Sequence, residues 1–334
     1  MDHILDLIIV GAGPSGLAAA IAAGKAGLSY AILEKGALVN SIFNFPRNMV
    51  FFTTPELLEI GGLPFTTPYE KPTRREALRY YRRVADACQI SIFFDEKVLG
   101  ISPGTTGADG RQFFEVATRL LDGTRRAHES RFVLLAAGYY DHPNLLGVPG
   151  EDLPHVHHYY SEPHAYYRKK VVVVGGKNSA AIVALELFRG GSAVTLVHRG
   201  SRLSDSIKYW IRPDIENRIK EGSIRALFET RVTRILPESV MVDTGGQSEE
   251  LATDAVFLMT GYHPDAHLML QAGIRMRGDT MAPEYDAETM ETNVPGLFVA
   301  GSIVSGRDTN KTFIENGRFH GEAVVKAILA RLKR

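Results

Sequence analysis

An α/β fold built from two similar domains is predicted by three observations. The chain opens with a buried strand, a glycine-rich turn and a helix; the same pattern returns in its middle; and 334 residues exceed one ordinary core. Hydrophobic residues make up 45% and charged residues 23%, a globular balance. Because the formal net charge is +0, no overall field draws nucleic acid or an anionic membrane, so neither is an expected partner. No apolar run reaches the roughly 18–20 residues of a membrane span. The start lacks a basic and then apolar leader, so a cytoplasmic location is expected.

Residues 5–10 read as a short buried strand. Gly11-Ala12-Gly13-Pro14-Ser15-Gly16 then turns, Leu17 to Ala26 form an Ala-rich helix, and Ser29 to Leu33 form the next strand, ending at Glu34. Residues 40–70, rich in Phe, Pro, Asn and Thr, read as an irregular excursion over the sheet. Thr73-Arg74-Arg75-Glu76 is a capping box opening a helix to about Cys88. Strand-like segments fill 90–135, and Phe132 to Ala137 is a buried strand closed by Gly138. Four prolines between 143 and 163 mark a linker. Lys170 to Val174 then read as a strand, 175–180 as a turn, 180–189 as a helix, and Ala193 to Val197 as a strand. Leu297 to Ala300 form a late strand running into Gly301-Ser302, and the segment Phe313 to Leu332 carries a terminal helix.

The first glycine motif, Gly11-x-Gly13-x-x-Gly16, has the spacing of a dinucleotide turn. Its first glycine permits the tight turn, the second lets backbone approach a pyrophosphate, and the third lets helix and strand pack closely. The pyrophosphate would rest on the helix N-terminus, where free N–H groups and the dipole favour negative charge. Glu34 lies 23 residues after Gly11, placed to accept both hydroxyls of an adenosine ribose. In the second motif, Gly175-Gly176-Lys177-Asn178-Ser179-Ala180, Lys177 holds the second glycine's place. The strand-end acid is replaced by His198 and Arg199, with Arg202 close behind. Arginine grips a 2′-phosphate that a carboxylate would repel. The acidic motif therefore suits FAD and the basic one NADPH, which predicts two Rossmann-like dinucleotide-binding domains and an oxidoreductase passing hydride from nicotinamide to flavin.

With those motifs in place, the chain resembles the two-dinucleotide flavoproteins of the thioredoxin reductase type. Closer still, Phe43-Asn44-Phe45-Pro46, Asn48-Met49-Val50-Phe51-Phe52, Thr54 to Gly61, Gly175 to Ala180 and Phe313 to Gly317 resemble the bacillithiol disulfide reductase (bacilliredoxin reductase) family. The resemblance implies a discontinuous FAD domain over 1–151 and 262–334 with an NADPH domain over 152–261. It implies cofactor contacts at Gly11, Gly13, Pro14, Ser15, Gly16, Glu34, Lys35, Asn44, Asn48, Val98, Ala137, Gly138, Gly301, Ser302 and Phe313. The second motif's residues, Gly175, Lys177, Asn178, Ser179 and Ala180, join His198, Arg199 and Arg202 on the NADPH side. A small-molecule disulfide or a small redox protein is the implied partner, and a homo-oligomer is expected.

The chain departs from the families it resembles at Ser302, which stands where a Gly-Asp pair usually supplies an aspartate, and in its thiols. Cys88 is its single cysteine, so a CxxC pair is impossible. Ser15 stands where the bacillithiol family typically carries a cysteine, and the catalytic residue is left open. Cys88 reads as a small buried apolar residue. The histidines of the linker complete no familiar metal spacing. Trp210 reads as packing or as a wall beside a cofactor. Two other readings stay open: a ferredoxin- or flavodoxin-type NADP reductase, which needs no thiol, and a redox-sensing flavoprotein without turnover. A flavin monooxygenase would need a Phe-x-Gly-x-x-x-His linker, which is absent.

Overall fold

A computed structural model describes residues 4–106 and 112–332. The strand β1 (Leu5–Val10) leads through the first glycine turn into helix α1 (Pro14–Lys25) and strand β2 (Tyr30–Leu33). The helix starts at Pro14, three residues ahead of the sequence expectation. Proline suits the first helical position because its missing N–H has no partner there anyway, so Gly13 becomes the N-cap. The 40–70 excursion holds a short helix, α2 (Asn40–Phe43). Helix α3 (Arg74–Ala87) follows, opened by the Thr73/Glu76 capping box: Thr73 N–H donates to Glu76 at 2.8 Å and Glu76 N–H to Thr73 Oγ1 at 3.3 Å.

Strands β3 (Ile92–Phe93), β4 (Glu96–Thr106), β5 (Gln112–Leu120) and β6 (Arg125–Leu135) come next. Further on lie β7 (Val156–His157), β8 (Lys170–Val174), α4 (Asn178–Arg189), β9 (Ala193–Val197), α5 (Arg212–Lys220) and β10 (Arg225–Leu227). The chain continues through β11 (Thr230–Ile235), β12 (Ser239–Thr244), β13 (Gln247–Ala252), β14 (Ala255–Leu258) and α6 (Ala266–Gln271). It ends with β15 (Met276–Arg277), β16 (Ala282–Pro283), β17 (Leu297–Val299), α7 (Ile314–Gly317) and α8 (His320–Leu332). The terminal helix expected within 313–332 is α8, preceded by the short α7.

The chain divides into two compact units. The first takes the chain up to Phe43, Met49–His142 and the chain from Tyr262. Its seven-stranded sheet runs β3-β2-β1-β6-β5-β4, with β17 on β6. The strands β3, β2, β1, β6 and β17 are parallel, while β4 and β5 form an antiparallel meander. Helix α8 lies so close to α1 that a Cβ on Gly321 would come within 2.4 Å of Ala19 Cα.

The second unit takes Asn44–Asn48 and Pro143–Gly261. Its parallel sheet runs β10-β9-β8-β14-β7, and β11, β12 and β13 form a separate antiparallel sheet. The changeover at His142/Pro143 differs from the 151/152 boundary read from sequence. Leu146, Val148 and Leu153 pack on the core of this second unit, and Ile235 N–H donates to Pro149 O at 2.9 Å. Asn44 and Asn48, expected with the first domain, also group here: Arg47 N–H donates to Ser161 O at 3.0 Å.

Candidate functional site

In the first unit, strand-end hydrogen bonds line the turns up side by side. Gly11 N–H donates to Leu33 O, Ala136 N–H to Val10 O and Ala300 N–H to Leu135 O, each at 2.9 Å. The ends of β2, β1, β6 and β17 therefore present Glu34, Gly11, Ala137 and Gly301 along one edge of the sheet. The carboxyl ends of parallel strands are where this kind of sheet takes its ligands. Ser302 Oγ lies 3.5 Å from where a Cβ on Gly138 would sit.

The three motif glycines meet different surroundings. Gly11 has φ +106°, and a Cβ there would sit 2.7 Å from Ala136 O. At Gly16 a Cβ would fall 2.0 Å from Gly11 O, so only a hydrogen fits between turn and helix. Around Gly13 nothing lies within 4 Å of the Cβ position. Protein packing does not ask for a glycine at 13; the open space ahead of the helix does. This is a cradle that a Cβ would fill, and it fits a pyrophosphate placed on the N-terminus of the 12-residue α1.

Glu34 is only 5% exposed and spends both oxygens on backbone: Ala12 N–H and Gly36 N–H each donate to it at 2.8 Å. Burial pushes its pKa up; those two amides oppose the shift, Asp141 adds to it and Lys35 opposes it. Lys35 pairs with Asp141 at 2.9 Å. Each carboxylate oxygen keeps a second lone pair for a hydroxyl donor.

Ser15 lies in a glycine-walled recess. Its Oγ is 2.6 Å from the Cβ position of Gly301 and 3.0 Å from that of Gly317. Any side chain at either position would displace it. Gly301, with φ +75°, donates its N–H to Nδ1 of His320 at 3.1 Å. Burial lowers the His320 pKa, which keeps the ring neutral and able to accept. His320 was not foreseen from sequence. It has no motif spacing and reaches Gly301 only because α8 begins beside that turn. Val98 is buried on β4, while Phe313, the N-cap of α7, is 43% exposed. Asn44 and Asn48 are exposed in the second unit. Cys88, expected buried, is half-buried as the C-cap of α3.

The second unit repeats the strand-end alignment. Gly175 N–H donates to Val197 O at 3.0 Å, Met259 N–H to Val174 O at 2.8 Å and His198 N–H to Leu227 O at 2.9 Å. A Cβ on Gly175 would sit 2.5 Å from Met259 O, much as Gly11 meets Ala136. Ala180 takes the third glycine's place and is itself buried. Lys177 is the exposed N-cap of α4, next to Ser179, also exposed. Asn178 ties the helix start to the following loop, accepting from Lys208 N–H at 2.9 Å and donating to Ser206 O at 3.0 Å.

The His198 ring covers Gly176: a Cβ there would meet it at 2.3 Å. Burial lowers the His198 pKa, and the Arg199 charge adds to the effect. Arg199 is exposed, whereas Arg202 is held by Asp205 at 2.8 Å. Trp210 is 40% exposed and edge-on to Tyr209. One unit thus offers an acid, and the other a basic turn, at the same place in the same fold.

A family model described as pyridine nucleotide-disulphide oxidoreductase matches residues 8–301. The chain is 42% identical to bacilliredoxin reductase of Bacillus subtilis (strain 168), over 97% of each chain. Among solved structures, bacillithiol disulfide reductase from Bacillus cereus matches with TM-score 0.95 and 40% identity, covering 98% of this chain and 100% of that one. The Staphylococcus aureus enzyme of the same description matches with TM-score 0.92 and 39% identity, covering 98% and 99%. No helix among the described residues is long and apolar enough to cross a membrane.

Proposed function

Because the chain belongs to the bacilliredoxin reductase family of the pyridine nucleotide-disulphide oxidoreductases, we propose that it is an FAD-containing, NADPH-oxidising reductase of bacillithiol disulfide or of a bacilliredoxin disulfide. The observation that carries the reading is the contrast between the two strand ends: a buried Glu34 in one unit, an exposed Arg199 in the other. Bound FAD supplies the two-electron carrier between nicotinamide and disulfide. The chain's own residues bind and orient. The N–H groups of Ser15 and Gly16, in the first turn of α1, would hold the FAD pyrophosphate. Glu34 accepts the ribose hydroxyls. The neutral His320 fixes the Gly301 turn against Ser15.

Thiol exchange within the chain is not part of this reading. Ser15 cannot form a mixed disulfide, and Cys88 is the single cysteine, with no resolving partner. The acceptor disulfide must therefore be reduced at the flavin site or by a partner's own thiols. The test is anaerobic titration with NADPH, then NADPH oxidation with bacillithiol disulfide or oxidised bacilliredoxin. The expected result is a yellow protein that NADPH bleaches and either disulfide reoxidises, with Cys88→Ala matching wild type. A protein that cannot be loaded with FAD sinks the reading. So does turnover with ferredoxin but with neither disulfide. If Cys88→Ala stops disulfide turnover while NADPH still bleaches the flavin, the lone thiol is catalytic.

FAD retention should also depend on pH through Glu34. Its folded pKa is raised above the ordinary 4.5, burial being the first cause. The folded protein therefore holds this proton more tightly than the unfolded chain, and its ionisation costs stability as pH rises through the window above 4.5. Hydroxyl donors offset that cost, because they favour the ionised form. FAD affinity is expected to fall as pH drops through this raised pKa, and Glu34→Gln to weaken binding and flatten the profile. Fluorescence titration of released FAD reads both; an unchanged profile in Glu34→Gln would remove Glu34 from the ribose site.

A further inference from the structure

Helix α3 carries five arginines in 14 residues: Arg74, Arg75, Arg79, Arg82 and Arg83. Among the described residues only Arg74 is spent on internal partners, donating to the carbonyls of Ile42 and Phe43. The helix buries Ala77, Tyr80, Tyr81 and Val84. At 100° per residue the other four arginines fall opposite that face, and all four are exposed. None of the four forms an ion pair with a described residue. Arg79 has Glu76 for a neighbour, but that carboxylate is committed to Thr73 and Thr67. Asp86 is the one other acid in the helix.

This charge is costly where it stands. Arg75 and Arg79, Arg79 and Arg82, and Arg79 and Arg83 are like-charged neighbours three or four positions apart, a spacing that weakens a helix. The chain as a whole is neutral, so the excess is local. Beside the N-terminal end of the helix lie exposed apolar side chains: Phe43 (50%), Val50 (47%) and Tyr69 (63%). The Arg74 guanidinium sits 5.6 Å over the Phe43 ring, and Val50 bridges to Thr73. Thr67, two residues before Tyr69, donates to Glu76 at 2.7 Å. Arginine beside aromatic side chains is the composition of a protein-binding surface.

We infer that this face of α3 is a docking surface for an acidic protein. Resting on the reductase reading, the docked protein is the redox protein that takes the electrons, presenting an acidic patch to these arginines. Charge complementarity selects the class of partner. From Arg75 to Arg83 the patch runs about 12 Å at the helical rise, enough to match a few carboxylates. A polyanion such as DNA or a lipid surface draws its affinity from charge repeated over a longer track, which a neutral chain does not offer. The mixed apolar and cationic surface also suits a folded partner that contributes apolar area of its own.

The experiment is a fluorescence-anisotropy titration of labelled, oxidised bacilliredoxin with the flavin-loaded full-length protein, at low and at high salt. Wild type is expected to bind, more weakly as salt screens the pairing. The triple variant Arg75→Glu/Arg82→Glu/Arg83→Glu should bind about tenfold more weakly or worse at low salt, with a flatter salt dependence. Arg75→Lys/Arg82→Lys/Arg83→Lys should bind like wild type. If charge reversal alters the flavin spectrum or the melting temperature, the corresponding Gln triple is read in its place. No bacilliredoxin binding by wild type overturns the proposal, as does equal binding by all variants. Phosphatidylglycerol vesicles and duplex DNA run in parallel. Binding to either that the Glu triple loses, with bacilliredoxin binding unchanged, also overturns it. Turnover of bacillithiol disulfide is assayed separately, so its absence with docking intact would sink the reductase reading alone.

Discussion

Gly16→Ala is expected to give a protein that neither holds FAD nor reaches its native stability. The new methyl would lie 2.0 Å from the carbonyl oxygen of Gly11 and 3.2 Å from its carbon. Both obstacles are backbone, so no side-chain rotation relieves them. Either α1 moves off β1 or the turn opens, and α1 also carries α8 through the close approach of Gly321 to Ala19. Overpacking of this kind costs roughly 1–3 kcal/mol, and more where backbone must shift, against a total stability of about 5–15 kcal/mol. Gly13→Ala is the informative contrast. Nothing lies within 4 Å of its Cβ position, so the apoprotein should melt like wild type while FAD affinity collapses. Thermal melts and flavin titrations on both variants check the pair. Tight FAD binding by Gly13→Ala would show that the pyrophosphate does not approach that backbone.

Arg199→Ala is expected to raise KM for NADPH about tenfold and to leave NADH nearly unaffected. A charge-assisted contact to a phosphate is worth roughly 1.5–3 kcal/mol when well formed, and 1.4 kcal/mol is about tenfold. Arg199 is solvent-exposed, which places it at the lower end. Arg202→Ala should cost less, because Asp205 already engages that guanidinium at 2.8 Å. Steady-state kinetics with both nicotinamides separate the cases. Equal losses for NADPH and NADH would mean that Arg199 does not read the 2′-phosphate.

Much of the local fold was legible from local signals. The strands Lys170–Val174 and Ala193–Val197 have the limits read from their β-branched runs. The capping box announced α3, since Thr and Glu three apart satisfy each other's amides without help from elsewhere. Other readings failed where a distant partner decided. Cys88 caps its helix half-exposed because the apolar stripe of α3 ends at Val84. The 151/152 boundary moved because prolines mark a linker without saying which core its leucines and valines join.

The two glycine turns, the acid after one and the arginines after the other can be read from residue order alone. Those features depend on spacing along a few tens of residues, which strand and helix geometry convert directly into position. What surrounds Ser15 depends on the folded arrangement. Gly301 and Gly317 lie some three hundred residues away, and β17 brings the first of them in by pairing with β6. The same holds for His320 on the Gly301 amide and for α3's arginine face, which is exposed because Tyr80 and Tyr81 turn the opposite side inward. Contacts between segments so far apart leave no period in the sequence, because their spacing is set by sheet order rather than by the chain.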